Sequence, residues 1–435
     1  MTTLSVMGAF SSATASTVSA SALNTFARQL TSTGNAVLSG TSLLLTAAVF
    51  TANGNFLSFV LPSGMTFAAN PTIAFSTSAT SSVSLSTGGS GSQSVVYQTG
   101  TNGFTAGATL TLSGIQVSGL QSYISTNSTA TFFNVTTTFP NDAATSAAPG
   151  NGGTQFPIAS LTDAASATPA AGAAVTIDVS SGGVRFVSGT ANALFVPIGT
   201  VAYANPATAP NDIGGGSPVS MSAQGGNIVV TGPLTGLSTV YAVATAVAST
   251  CATAAPSGAF TVTPSATAGT LTGLSVSTFQ VCAIANGSTI LSNGTIATRG
   301  TITTSSNTTI TGTSTTNAVG YSGNVRNMQY FVGATGGYSA FAYAVNSGTS
   351  ASTALVSVRR NDGATATGSL SSLAAGASAL YGASDINTAI GSTFLVDASS
   401  RAQVTFLFSG SSVNITGLLL NPGGVVTGFG QQFSN

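Results

Sequence analysis

The sequence predicts an all-β fold made of several immunoglobulin-like or related β-sandwich domains in tandem, preceded by a short N-terminal helix or an extended arm. Short runs of Val, Thr, Phe and Leu alternate with turns of Gly, Asn, Pro and Ser, which is typical of sandwiches. The helix formers Lys and Glu are absent, which argues against exposed helices. A chain of 435 residues is long enough for several domains with their own cores.

The charge content is unusually low. The chain has 7 basic and 7 acidic residues, all Arg and Asp, so only 3% is charged, against about 25% in a typical protein. With 43% hydrophobic residues the composition is not that of a disordered chain. The folded surface must therefore be made polar by hydroxyls, amides and backbone. A surface near zero net charge lacks the repulsion that keeps proteins monomeric, which favours assembly.

Several classes of function are excluded by composition. There is no basic patch for nucleic acid and no apolar run of the length of a membrane span. The chain has no His, so a Ser-His-Asp or Cys-His arrangement is not available, and without Glu or Lys acid–base catalysis would fall to Asp, Tyr or Cys. We therefore expect no enzyme. The N-terminal residues lack the positive segment of a secretory signal, so the numbering starts near the mature end or export uses another route.

Residues 1–50 form a Ser/Thr/Ala-rich N-terminal arm or assembly segment. Within it, apolar residues recur at every fourth position from Val18 to Leu30, which predicts a short helix over Thr17–Leu30. The alternative is an extended arm that pairs with a neighbouring subunit.

The remainder divides into predicted sandwich domains and one connection. A segment rich in Pro, Ala and Gly separates the first sandwich from the second, and it is interpreted as a linker or long loop. The Thr-rich stretch Thr301–Thr316 is predicted to be an edge strand or a connection into the last domain. The predicted boundaries are 51–139 for the first β-sandwich domain, 140–172 for the linker, 173–320 for a β-sandwich domain with a disulfide, and 321–435 for a C-terminal β-sandwich module.

Cys251 and Cys282 are the two cysteines of the chain, and they flank two predicted strands of the second sandwich. A bond between them would close a loop in the unfolded chain and would stabilise the fold by about 3–4 kcal/mol in the chain-entropy model. Two buried free thiols are the alternative. A metal site is not expected, because no His and no closely spaced second cysteine accompanies either residue.

Two further kinds of site depend on Asn and Asp. Asn211-Asp212 and Asn361-Asp362-Gly363 could supply oxygen ligands to calcium, although turn chemistry explains both equally well and neither is a full calcium loop. No other cofactor is expected. Six Asn-X-Ser/Thr sequons are candidate glycosylation sites, and a Ser/Thr-rich chain also produces such triplets by chance. They begin at Asn127, Asn134, Asn286, Asn293, Asn307 and Asn414.

The order of strands and turns from Gly337 to Phe429 carries a family resemblance. It opens Gly-Tyr-Ser-Ala-Phe-Ala-Tyr-Ala-Val-Asn, continues through Ala-Leu-Val-Ser-Val-Arg-Arg and Asn-Asp-Gly, and closes with Gly-Leu-Leu-Leu-Asn-Pro-Gly-Gly. This resembles the C-terminal module of proteobacterial cell-surface proteins of the S-layer-like kind. Residues 61–67 and 107–115 similarly resemble an N-terminal module of bacterial surface proteins. The resemblance implies a structural role.

Composition and resemblance together predict an extracellular, self-assembling structural protein that forms a surface layer or coat on a bacterial cell. One alternative is a subunit of an extracellular filament or pilus-like fibre. Another is an adhesin or carbohydrate-binding surface protein. The expected partner is a further copy of the chain, with cell-envelope polysaccharide as a second candidate; neither nucleic acid nor a membrane span is expected.

Overall fold

The computed structural model of the chain describes residues 18–20, 23–30, 34–38, 43–46, 56–75, 83–99, 109–128, 130, 132–138, 154–188, 191–213, 218–248, 250–333, 338–395, 401–421, 423–424 and 426–429. Strands dominate these residues, so the predicted all-β fold of tandem sandwiches is confirmed. The chain forms two compact units. The first comprises Met1–Ser166, Asn205–Ser222 and Thr303–Ile310, and the second comprises Ala167–Ala204, Ala223–Ile302 and Thr311–Asn435.

The first unit contains three sheets and a short helix. A six-stranded sheet has the order β2-β13-β12-β5-β9-β8, a four-stranded sheet β1-β4-β10-β7, and a three-stranded sheet β3-β11-β6. The elements are β1 (Val18–Ala20), β2 (Asn24–Ala27), β3 (Ala36–Val37), β4 (Leu43–Thr46), β5 (Phe56–Val60), β6 (Thr66–Phe67), β7 (Thr72–Phe75), β8 (Val83–Gly88), β9 (Ser94–Thr99), β10 (Thr109–Ser113), β11 (Gln116–Ser118), α1 (Leu120–Thr126), β12 (Phe132–Thr138) and β13 (Thr154–Thr162).

The core of the first unit draws on distant parts of the sequence. Phe26, Phe59 and Phe67 are at most 2% exposed and belong to one cluster of buried side chains. The same cluster includes Ile213 and Val219, which follow more than forty residues after β13 in the chain. Burial of large aromatic side chains of this kind is the main favourable term in folding.

The second unit begins with a sandwich of a five-stranded sheet, β14-β18-β23-β20-β21, and a seven-stranded sheet, β17-β16-β15-β25-β24-β19-β22. Side chains bridge the two sheets: Asn317 Nδ2 donates to the Ile198 carbonyl at 2.9 Å, and the Tyr203 hydroxyl donates to the Asn227 carbonyl at 2.6 Å. The strands are β14 (Ser166–Ala171), β15 (Val175–Ile177), β16 (Phe186–Ser188), β17 (Ala191–Ala193), β18 (Phe195–Ala204), β19 (Met221–Thr231), β20 (Leu237–Ala244), β21 (Phe260–Val262), β22 (Ala268–Leu274), β23 (Thr278–Ala285), β24 (Gly294–Thr304) and β25 (Thr309–Tyr321).

The C-terminal sandwich packs two four-stranded sheets, β26-β31-β28-β29 and β30-β27-β32-β33. Its core includes Phe406, which stacks on Tyr381 of the facing sheet with ring centroids 6.1 Å apart. The elements are β26 (Asn324–Val332), β27 (Ser339–Asn346), β28 (Ser352–Arg360), β29 (Thr365–Leu373), β30 (Ser378–Gly382), α2 (Ala383–Ile390), β31 (Arg401–Phe408), β32 (Val413–Leu420) and β33 (Val426–Phe429).

The two sandwiches of the second unit share a small apolar cluster. Val179, in a 3-10 turn at Val179–Ser181, is fully buried together with Leu355 of β28 and Leu407 of β31. The Tyr321 hydroxyl closes this region by donating to the Leu291 carbonyl at 2.7 Å. Two residues separate β25 from β26. The two sandwiches are therefore packed against each other close to this connection.

The predicted helix over Thr17–Leu30 is wrong. The described residues there form β1 and β2, and β2 pairs in parallel with β13 from Asn24↔Ala159 to Ala27↔Thr162. Residues four apart lie on one face of a helix, but they also lie on one face of a strand, so the spacing did not distinguish the two. The described part of the predicted arm also contributes Phe26 and Leu30 to the core of the first unit.

The predicted linker is corrected where the structure describes it, because 140–172 contains strands β13 and β14. Pro157 lies where the β12–β13 register shifts, and Pro169 lies in β14, the last strand of its sheet. Proline is tolerated at bulges and at sheet edges, where its missing N–H breaks no ladder bond. The prolines therefore did not mark a break in regular structure.

Thr301–Thr316 is likewise neither an edge strand nor a connection into the last domain. It spans the end of β24 and the start of β25, which are neighbouring inner strands of the seven-stranded sheet. The turn between them is closed by Thr304 N–H donating to the Thr308 carbonyl at 2.9 Å, with Asn307 at φ 60°. Asn is among the residues that adopt this left-handed conformation at low cost.

Candidate functional site

The predicted disulfide is present. Cys251 and Cys282 are bonded, with their Cα atoms 5.7 Å apart and a sequence separation of 31 residues. Cys282 lies in β23 and is fully buried, whereas Cys251 lies in the segment between β20 and β21 and is half-buried. The bond therefore holds a connecting segment against one face of the five-stranded sheet.

Tyr241 gives this segment a second attachment. It lies in β20, is fully buried, and its hydroxyl accepts a hydrogen bond from the Ala252 N–H at 2.8 Å. Cys251, Ala255 and Ala259 pack against the same cluster of buried side chains. The disulfide and the Tyr241 hydrogen bond together hold the connecting segment on the sheet.

The sequon asparagines do not gather in one place. Asn127 caps the end of α1, with its Nδ2 donating to the Tyr123 carbonyl at 3.0 Å. Asn134 is half-buried within β12. The Asn286 Oδ1 accepts from the N–H groups of Ser288 and Thr289 in a local turn. Three more, Asn293, Asn307 and Asn414, are exposed.

The two candidate calcium segments are accounted for by turn hydrogen bonds. Asp362 Oδ1 accepts from the Ala364 N–H at 3.0 Å, and its Oδ2 pairs with Arg360 at 3.0 Å. Asp212 Oδ1 accepts from the Ile213 N–H at 2.8 Å. Across the described ranges, no three His, Cys, Asp or Glu residues gather to hold a metal ion. Calcium at these segments stays a prediction.

Arg28 has a role that the sequence did not show. Its side chain is 20% exposed, pairs with Asp163 at 3.4 Å and donates to the Ala130 carbonyl at 2.8 Å. The neighbouring Gln29 donates to the other Asp163 oxygen at 2.8 Å and accepts from the Ala164 N–H at 2.9 Å. These bonds join the end of β2 to the end of β13, so Arg28 is part of the scaffold.

Buried tyrosines are the titratable groups that burial perturbs most clearly. Desolvation raises the pKa of Tyr97 and of Tyr321 to about 12, and it also raises the pKa of Tyr203. The Tyr97 hydroxyl donates to the Pro71 carbonyl and the Tyr203 hydroxyl to the Asn227 carbonyl. Each phenol is thus held neutral as a structural hydrogen-bond donor.

The surface feature that stands out is one face of the C-terminal sandwich. On the sheet β30-β27-β32-β33, the face turned away from the sandwich core carries apolar side chains from three strands, and we call it the outer sheet face. Tyr343 is 40% exposed and Leu380 is 51% exposed, and the other members are half-buried. The members are Phe341, Tyr343, Val345, Leu380, Leu418 and Leu420.

These side chains meet in cross-strand rows. Tyr343 lies directly opposite Leu380 on one side and Thr416 on the other, and Phe341 lies opposite Leu418. The Phe341 ring covers Gly382, where an added Cβ would lie 3.2 Å from a ring carbon. Two apolar pairs are therefore directly opposed, Tyr343–Leu380 and Phe341–Leu418, whereas Val345 lies opposite Ser378 and Asn414. Directly opposed side chains on neighbouring strands are close enough to interact.

The inner face of the same strand is built from small residues. Ala340, Ala342 and Ala344 of β27 are buried in the sandwich core, where Phe406 and Phe408 of the facing sheet supply the bulk. Strand β27 thus places its alanines inside and its phenylalanine, tyrosine and valine outside. A strand that is apolar on both faces is typical of a sheet covered on both sides. The sequence showed this alternation but not which face was inside.

Comparisons with known proteins give no family. No family model matches the chain, and no curated protein matches it. Among its described residues, no helix is long and apolar enough to cross a membrane.

Some solved structures show a weak similarity. Native Escherichia coli alpha-2-macroglobulin is 10% identical, with a TM-score of 0.26, over 96% of this chain and 22% of that one. A marsupial T cell receptor is 8% identical, with a TM-score of 0.21, over 95% of this chain and 100% of that one. The same bacterial protein activated by porcine elastase is 8% identical, with a TM-score of 0.19, over 93% and 31%. The chain therefore spans about a fifth of the length of the first of these.

Proposed function

We propose that this chain is an extracellular, self-assembling structural protein that forms a surface layer or coat on a bacterial cell. The observation that carries the proposal is the outer sheet face, an apolar patch on strands that contain no charged residue. Exposed apolar patches bordered by polar residues on folded proteins can mark places where another molecule binds. A coat protein needs such contacts on every copy.

The scarcity of charge supports the same proposal. Seven Arg and seven Asp residues over 435 positions provide little electrostatic repulsion between copies. Two of the Arg residues, Arg28 and Arg360, are paired with Asp in the same chain. Contacts between copies would consequently depend on apolar side chains and backbone hydrogen bonds.

The disulfide supports the extracellular part of the proposal. Structural disulfides persist in oxidising compartments such as the bacterial periplasm and the cell surface, and they are rare in the cytosol. Both cysteines of this chain are used in one bond, Cys251–Cys282. A chain in which both cysteines form a disulfide is compatible with an extracellular location.

Electron microscopy of the purified full-length chain tests the proposal directly. We expect ordered sheets in negative stain and a large sedimenting fraction. High salt should leave that fraction intact, because screening weakens ion pairs and not apolar contacts, whereas urea should dissolve it. Filaments would favour the fibre alternative. A chain that stays monomeric at high concentration, with no partner added, would contradict self-assembly and favour a binding module.

A further inference from the structure

The outer sheet face has the composition of a sheet interior. Three large side chains of β27, Phe341, Tyr343 and Val345, project from it, while the opposite side of the same strand carries alanines. In a sandwich with one solvated sheet face, the outward positions are expected to be polar. Here the polar outward residues are Ser339, opposite Leu420, Thr416, opposite Tyr343, and the pair Ser378 and Asn414, on either side of Val345.

Among the described residues of the outer sheet face, no side chain carries a charge that would select a charged partner. Strands β27, β30, β32 and β33 contain no Arg and no Asp. Asp385, in the first turn of α2, accepts from the Gly382 N–H at 2.8 Å at the end of β30. A partner that brought charges onto the apolar rows would have to bury them without a counterion, which is costly.

From these observations we infer that the outer sheet face binds the same face of a second copy of this chain; the inference rests on the proposed self-assembly. With 3% charged residues, a copy of this chain is a partner that brings few charges to the contact. Two copies related by a two-fold axis would place the same neutral patch on both sides of the contact, so each residue that makes a contact also receives one. Two sheets packed face to face in this way reproduce the spacing of a sandwich core, about 10 Å.

The contact is small for an isolated dimer. Six side chains, four of them half-buried, offer less than the roughly 800 Å² per partner of a typical stable complex. We therefore expect a weak pairwise contact that becomes effective when each copy also makes other contacts in an assembly. For a weak contact, covalent cross-linking is a more sensitive test than a measurement of affinity alone.

Single cysteines can trap the contact, because the two natural cysteines are bonded to each other. We would prepare Leu380→Cys, Asn414→Cys and Thr416→Cys, and treat each with a short bismaleimide. Ser371→Cys is the matched control, since Ser371 is exposed on the other sheet of the same sandwich. We expect covalent dimers from at least one outer-face variant and few from the control. Yields equal to the control at all three positions would overturn the inference.

A second measurement separates this inference from the proposed function. The double variant Tyr343→Thr with Leu380→Thr keeps residues that favour strands, so it should unfold at the same urea concentration as the parent. In sedimentation we expect its assembly to need a protein concentration about tenfold higher. A control with Val247→Thr and Val276→Thr, both exposed outside this sandwich, should assemble like the parent.

The outcomes point to different conclusions. If the parent assembles and the outer-face variant assembles equally well, the inference is wrong and the proposed function stands. If the parent stays monomeric but the cysteine variants cross-link, the face contact stands and the coat does not. If the parent does not assemble and none of the three cysteine variants cross-links above the control, both are wrong.

Discussion

Tyr241 lies directly opposite Cys282 in the antiparallel pair of β20 and β23, and its hydroxyl is 2.8 Å from the N–H of Ala252, the residue after Cys251. One covalent bond and one hydrogen bond therefore hold the same connecting segment at adjacent positions of the sheet. The sequence predicted the first from the pairing of two cysteines. It gave no sign of the second, because hydrogen bonds of tyrosine hydroxyls leave no motif.

The first prediction concerns the disulfide. Intact-mass measurement after alkylation should show no modified thiol unless reductant is added first. Reduction should lower the free energy of unfolding by about 3–4 kcal/mol in the chain-entropy model, because the bond closes a loop of this length in the unfolded chain. Two alkylated cysteines in the untreated protein would contradict the bond.

The second prediction concerns the Tyr241 hydroxyl. Tyr241→Phe should lower the free energy of unfolding by about 1 kcal/mol, because the Ala252 N–H loses its acceptor in a partly buried site. Tyr338→Phe is the matched control, since Tyr338 is 46% exposed. Urea unfolding of both variants measures the difference. Equal midpoints for the two would show that the hydrogen bond contributes nothing.

The third prediction concerns the close approach of helix α2 to strand β29. A Cβ added at Gly368 would lie 2.0 Å from the Ala389 carbonyl oxygen and 2.6 Å from the Ile390 nitrogen. Gly368→Ala should therefore displace α2 and cost about 1–3 kcal/mol of stability, as overpacking commonly does. Gly320→Ala, in β25, has open space around the added carbon and should be tolerated. Thermal unfolding of the two variants is the measurement.

Helix α2 itself was not predicted, although its signals were readable. Gly382 precedes the helix, and the Asp385 carboxylate accepts a hydrogen bond from the Gly382 N–H. Gly391, at φ 62°, ends the helix. These are ordinary start and stop signals. They were not recognised because a helix of eight residues is shorter than the window over which a helical period becomes distinct.

Strand positions were predictable where one face was clearly apolar. The apolar run Phe279–Ile284, for example, lies within the observed strand β23, Thr278–Ala285. Pairing was not predictable, because it depends on partners far along the chain: β2 pairs with β13, and β15 with β25. The outer sheet face was missed for a related reason. Both faces of β27 are apolar, so the sequence alone could not show which one is outside.

The fourth prediction concerns pH. From about pH 5 to 9 thermal melts should nearly coincide, because the chain has no His, Lys or Glu and an unperturbed Asp titrates near 3.9. Above about pH 10 stability should fall, because the unfolded chain ionises its tyrosines there while burial raises the pKa of folded Tyr97 and Tyr321 to about 12. The stability that the neutral phenols contribute is complete below the unfolded pKa and is lost as the pH rises through the folded one. A shift of tens of degrees between pH 5 and 9 would contradict this.

The fifth prediction concerns the N-terminal segment. Deleting Met1–Thr31 should impair folding as well as any contact that the N-terminal segment makes with another copy. The deletion removes Phe26, which is 2% exposed, together with the pairing of β2 with β13 and the Arg28–Asp163 ion pair. We therefore expect the deletion to destabilise the first unit strongly.

A point variant separates loss of the core from loss of the segment. Phe26→Ala should lower the free energy of unfolding by about 3–5 kcal/mol, because it leaves a cavity where a ring was fully packed. Leu23→Ala is the control, since Leu23 is 39% exposed and three positions away. Removing residues 2–17, which lie outside the described residues, keeps β1, β2 and Phe26 in the chain. If this shorter deletion also abolishes assembly, the N-terminal residues make a contact between copies; if assembly persists, the outer sheet face remains as the proposed contact.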